Sequence, residues 1–304
     1  MPGLVELLCL EVAGFARAIG VSTGIFLGLC ALQIALSPRD KPRAEPPREF
    51  SVDMIYWIVV ALSRAASRMI VLAFIALVVV LVLGDTLSLS LLSGYGPVMR
   101  QPRWLMLIEL FVLTDCLSYL AHRACHRVPL LWRFHAIHHS PRRVHWTSTA
   151  RMHPVNDLVT YASLALPPLA LGFPIDALAS IAPLIVLFAV WSHSKSNATF
   201  GPLAVVLTGP RFHRWHHTHS NEGGDANFAG ILCVWDRLFK TYYMPEGRVP
   251  ERFGLDDDVL EESFWAQMVY PFRKRGTKPE HVDEAHRDHG GQSRDRLCAG
   301  EAIS

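Results

Sequence analysis

The sequence predicts an all-α fold, a polytopic membrane helical bundle with a histidine-rich helical cap on the cytoplasmic side. Three observations predict it. Of 304 residues, 51% are hydrophobic and only 18% charged, with a mean hydropathy of +0.24. A soluble domain carries about 25% charged residues. Long apolar runs alternate with short polar ones. Of 15 histidines, 12 fall between His122 and His219. The hydrophobicity excludes disorder over most of the length. A net charge of +2 gives no field suited to nucleic acid.

Five apolar stretches are candidate helices: Ala13–Leu36, Met54–Leu83, Trp104–Ala121, Val155–Leu171 and Asp176–Trp191. About 20 residues at 1.5 Å rise span the hydrocarbon core. The first two are long enough and the third is marginal. The last two are short, joined by Gly172-Phe173-Pro174, and read as a hairpin that need not fully cross. The first 15 residues hold two Glu and no Lys or Arg, so they read as a retained segment and not a cleaved signal. Six cysteines without a CxxC pair read as reduced thiols.

Charge placement orients the bundle. Arg123, Arg127, Arg133, Arg142, Arg143 and Arg151 crowd His122–His153, which has no acid, whereas Gly84–Arg103 holds only Arg100 and Arg103 as basic residues. The positive-inside rule puts the histidine-rich segment in the cytoplasm. The expected organisation is residues 1–103 as N-terminal membrane helices (about 13–36 and 54–83) with their loops, and residues 104–255 as a catalytic unit. Residues 256–304 are a C-terminal extension, disordered from about 279, with His281, His286 and His289 solvated.

The histidines fall into spaced motifs. His122 and His126, four apart, share one helical face. Asp115, seven residues earlier on that face, is expected to accept the N–H of His122 and fix its tautomer. His135-x2-His138-His139 returns 78 residues later as His213-x2-His216-His217. Adjacent histidines point apart, so each doublet can serve two ions. Eight imidazoles exceed the needs of one ion, and imidazole suits Zn, Cu, Fe and Ni. His193 is a ninth candidate, with Asn197 four residues on. His145, His153 and His219 are further candidates. No HExxH, GxGxxG or cysteine-rich cluster motif occurs, so electrons must come from another protein.

These motifs resemble the fatty acid hydroxylase superfamily, also called the sterol desaturase family. The resemblance rests on the three histidine boxes, on Asp225-Ala-Asn-Phe-Ala-Gly and on Trp235-Asp236-Arg237-Leu238-Phe239-Lys240-Thr241-Tyr242, within Trp104–Leu255. It implies a membrane oxygenase with two non-haem iron ions (zinc possible as purified) that hydroxylates or desaturates a fatty acyl, sterol or related lipid. One branch of the family cleaves alkylglycerol ethers. Some members have histidine where Asn197 stands. Without a fused cytochrome b5 segment, the donor would be a separate ferredoxin- or cytochrome b5-like protein. Asp115, Asp225 and Asp236 are candidates to support the ligands. The rival readings are a bis-histidine haem electron carrier and a metal-binding membrane protein without catalysis.

Overall fold

The computed structural model describes residues 47–83, 92–196, 200–255 and 260–273. The expected first span at 13–36, Asn197 and the tail histidines lie outside the described residues. The longer helices begin where the sequence supplies proline at or just before the first turn, and the two longest run on without an internal proline or glycine. Helix α1 (Pro47–Leu83) opens on Pro47 with Glu49 in its first turn. Helix α2 (Arg103–Arg127) follows Pro102. Val128, held extended ahead of Pro129, ends α2, and Pro129 starts α3 (Pro129–His139). That corner makes two histidine-bearing helices consecutive. Helices α4 (Pro154–Ala170) and α5 (Ile175–Ser192) form the expected hairpin. Short helices α6 (Pro210–His216), α7 (Val234–Leu238) and α8 (Phe264–Val269) follow. Among the described residues, β pairing is limited to two isolated bridges, Leu207 with Leu232 and Thr218 with Phe253.

Among the described residues, three helical segments are long and apolar enough to cross a membrane: Glu49–Ile75, Arg103–Arg127 and Ile175–Ser192. The fourth apolar stretch forms α4, which is 17 residues long and is not among them.

The helices fix two ends. Val71 packs with Ala165 and Leu169, and Ser63 donates to Asp157, so α1 and α4 run in the same direction. Met106 and Leu110 pack with Phe173, Ala177 and Ile181, so α2 and α5 also run together. At one end the Tyr95 amide donates to Gly172 O at 3.0 Å and that of Ile175 to Leu92 O at 2.9 Å. Gly172 sits at φ 94, and a Cβ there would lie 2.4 Å from Tyr95 O, so this turn requires glycine. At the other end the last turns of α2 and α5 meet the first turns of α1 and α4.

A buried ion pair ties that second end together. Arg151, 1% exposed, donates to Asp53 of α1 through Nε and to Glu49 O through a terminal nitrogen. Thr147 Oγ1 donates to the other Asp53 oxygen at 2.6 Å, and Trp57 Nε1 donates to Thr147 O at 3.1 Å. Removing Asp53 leaves the buried Arg151 only a longer ion pair with the half-buried Glu262 at 3.5 Å. Asp53→Ala is expected to destabilise the chain by about 3–5 kcal/mol, read as a lower unfolding midpoint in detergent. Arg103→Ala breaks an exposed pair with Asp176 at the opposite end and should cost less than about 1 kcal/mol.

Candidate metal centre

The nine histidines of the spaced motifs converge at the Asp53 end. His122 and His126 stand in the last turns of α2, and His135, His138 and His139 end α3. His193 caps α5, and His213, His216 and His217 lie in and just after α6. Their donor atoms form two groups, each within 4.8 Å: His122, His126, His135, His139 and His216, and His138, His193, His213 and His217. Each HH doublet is split between the groups. The groups adjoin, with His139 stacked on His217 at 4.4 Å and His135 5.3 Å from His138.

The outer ring nitrogens decide what the inner ones can do. His138 Nδ1 donates to Arg151 O at 3.2 Å and His193 Nδ1 to Ala189 O at 2.7 Å. A carbonyl only accepts, so both rings carry their proton on Nδ1, and both Nε2 atoms present bare lone pairs. Those Nε2 atoms are 3.2 Å apart. The other group repeats the conflict. His122 Nδ1 donates to Phe228 O at 2.8 Å and His135 Nδ1 to Asn156 Oδ1 at 3.1 Å, while their Nε2 atoms are 3.1 Å apart. Two lone pairs at that distance repel unless a cation lies between them.

Protonation is a poor remedy. Burial, then the neighbouring imidazoles, hold His138, His139, His213 and His217 well below the ordinary 6.5. Burial pushes His193 down to about 4. A metal ion fits instead. Two nitrogens bound at a right angle to one ion at about 2.1 Å are about 3.0 Å apart. His126 with His139, His193 with His213 and His213 with His217 show Nε2 separations of 3.1, 3.1 and 3.0 Å. The donor set is therefore suited to two ions with all-nitrogen coordination.

One loop supplies most of the outer partners in the five-histidine group. His216 Nδ1 donates to Ala226 O at 2.8 Å, and Asp225 Oδ1 lies 3.5 Å from His126 Nδ1. Asp236 takes the amides of Phe228 and Ala229, both at 2.8 Å. Burial raises the Asp236 carboxyl, while Thr241 and the two amides oppose that shift. Asn227 has φ 60, and its amide bonds Phe212 O, Tyr243 O and Tyr243 N. Asparagine tolerates that backbone and seals the turn.

The expectation that Asp115 accepts from His122 is corrected. Seven residues are about 10.5 Å along a helix, too far for one hydrogen bond. Asp115 instead takes the amides of Ile231 and Leu232 and the indole N–H of Trp235, and Phe228 O takes the His122 proton. Three weaker candidates stand apart from both groups. His153 caps α4, accepting from the Val155 amide, and its ring packs on Phe134. His145 lies in the loop before the turn Thr147–Ala150, and His219 caps the turn Ser220–Glu222. The sequence alone does not identify Asn156 and the Arg151 carbonyl as partners of His135 and His138, nor Asp53 as the partner of Arg151. Adjacent Asn156 and Asp157 in the first turn of a largely apolar helix are the available signal.

The segment that carries these histidines is similar to known proteins. Residues 107–241, which contain all nine histidines, match the fatty acid hydroxylase family. Ornithine lipid hydroxylase of Rhizobium tropici is 31% identical over 194 residues, 63% of this chain and 57% of that protein. Alkylglycerol monooxygenase of Homo sapiens is 33% identical over 133 residues, 43% and 29% of the two chains. Delta(7)-sterol 5(6)-desaturase of Candida glabrata is 25% identical over 201 residues, 63% and 53%. The chain thus spans between about a third and somewhat over half the length of these relatives. No solved structure matches it. The histidine groups lie within residues 107–241, the segment that matches the fatty acid hydroxylase family, and the chain is similar through that segment to lipid hydroxylases and sterol desaturases.

Proposed function

We propose that the chain is a membrane-bound, O2-dependent oxidoreductase that hydroxylates or desaturates a C–H bond of a lipid, with residues 104–255 as its catalytic unit. The observation that carries this reading is the pair of facing, proton-free Nε2 atoms in each of two adjoining histidine groups. The relatives named as lipid hydroxylase, lipid monooxygenase and sterol desaturase supply the substrate class. Two iron ions, bound by the five- and four-histidine groups, would supply O2 activation and hydrogen abstraction.

The chain's own residues prepare that chemistry. Phe228, Ala226, Arg151 and Ala189 carbonyls and the Asn156 side chain hold ring protons on the outer nitrogens, so each inner nitrogen is ready to bind without losing a proton. Burial of His138, His139, His216 and His217 excludes bulk water. Candidate spans ending at Arg127, just after His126, and at Ser192, just before His193, give a lipid lateral access from the bilayer to the site. Substrate placement, and not the ligand set, selects hydroxylation or desaturation. A separate ferredoxin- or cytochrome b5-like donor supplies the electrons. The arginine excess around the histidines orients that end towards the cytoplasm.

Metal analysis of the purified chain should find about two ions, iron or adventitious zinc, without a Soret band. One haem, or no metal after gentle purification, refutes the reading. His138→Ala and His216→Ala should each lose metal and lipid oxidation while helical circular dichroism persists, and His286→Ala should change neither. Full metal content with full activity in His138→Ala would overturn the ligand assignment. Asn156→Ala removes the acceptor for His135 Nδ1 and should weaken metal binding about 10–100-fold in competition with a chelator.

A further inference from the structure

The last described turns of the chain carry a surface that the metal centre does not use. Helix α8 runs into a short turn, Tyr270–Phe272. Its inner face is fixed on α1. Phe264 meets Tyr56 edge-on at 5.1 Å, and Tyr56 Oη donates to Gln267 Oε1 at 2.9 Å. Gln267 Nε2 in turn donates to Glu261 O. The other face is bare: Trp265, Val269 and Phe272 are 76%, 51% and 69% exposed. Their spacing of four and three residues makes one stripe.

An indole with two large apolar neighbours is an unfavourable surface for water. Two features say what covers it. The helix that carries the stripe is docked through its other face on Tyr56, inside a segment apolar enough to span the membrane, whose own Ile58 and Leu62 are also exposed. It is therefore continuous with a lipid-facing helix. The sequence then runs Arg273-Lys274-Arg275, with Lys278 close behind. Apolar side chains followed by a basic run suit the headgroup region of an anionic leaflet, and tryptophan favours that depth.

We propose that Phe264–Phe272 is an interfacial anchor, seated in the leaflet at the histidine end of the bundle. Trp265, Val269 and Phe272 enter the acyl–headgroup boundary, and the basic sequence that follows carries the charge that anionic lipid attracts. The anchor also reaches the metal end. Phe272 meets Phe134 of α3 at 5.8 Å and the His153 ring at 6.1 Å. It thereby fixes the depth at which the histidine-bearing helix α3 sits relative to lipid.

Photolabelling tests this in the full chain. The chain is placed in nanodiscs of phosphatidylcholine, with or without phosphatidylglycerol, containing a phospholipid with a diazirine near the ester end of its acyl chain. Labelled peptides are read by mass spectrometry. The peptide bearing Trp265–Phe272 should be labelled severalfold more than that bearing Val249, an apolar residue 45% exposed in a polar loop. Phosphatidylglycerol should raise the labelling. Lys274→Gln with Arg275→Gln should remove that increment, and Trp265→Glu with Val269→Glu should bring labelling down to the Val249 level. Labelling no higher than at Val249 in the unaltered chain overturns the proposal, whether hydroxyl-radical footprinting then finds the stripe open to water or covered by protein.

Discussion

The hydrogen bond from an outer imidazole nitrogen to a main-chain carbonyl is the constraint on which the histidine end depends. It is a local contact, yet it decides the protonation of the opposite ring nitrogen. Once His122 donates its Nδ1–H to Phe228 O and His138 donates its Nδ1–H to Arg151 O, the inner nitrogens have only lone pairs to present. Packing then brings His122 against His135 and His138 against His193 at about hydrogen-bond distance with no hydrogen between them. The same geometry that would be repulsive alone is the edge of a coordination shell around a cation. A metal ion bound at this end would be coupled to the fold, because it would offset a conflict that the helices create.

The rest of the architecture serves to hold those carbonyls still. The turn from Asp225 to Cys233 hangs from two buried carboxylates, Asp115 of α2 and Asp236 of α7, each taking two successive amides. The carboxylates do not touch the imidazoles of the centre. They act on main-chain atoms that in turn fix ring orientation. Asn227 closes the same turn from the other side through a backbone conformation that asparagine accepts readily.

Much of this was legible in the sequence, and the reason differs by feature. The helices at Met54–Leu83, Trp104–Ala121 and Asp176–Trp191 were visible because apolar length is a one-dimensional property. The pairing of His122 with His126 was visible because four residues are one turn. The split of His138 from His139 followed from the angle between adjacent side chains. Asp115 was placed on the correct face but on the wrong partner, because face is read from periodicity whereas reach depends on rise. Asn156, Arg151 and Asp53 were invisible for another reason. Their roles arise from contacts across 21, 13 and 98 residues, which no local pattern encodes.

The Asp53 contact bears on what counts as a unit in this chain. Similarity to other proteins picks out residues 107–241, and all nine histidines fall inside. Yet the guanidinium of Arg151, whose carbonyl orients His138, is neutralised by a carboxylate far upstream, on the first described helix. A segment transplanted at the similarity boundary would carry every imidazole and leave a buried positive charge without its counter-ion. Its histidines would be complete in inventory and poorly aimed. Portability therefore follows the burial of charge, and the smallest piece that can be moved between scaffolds begins at α1.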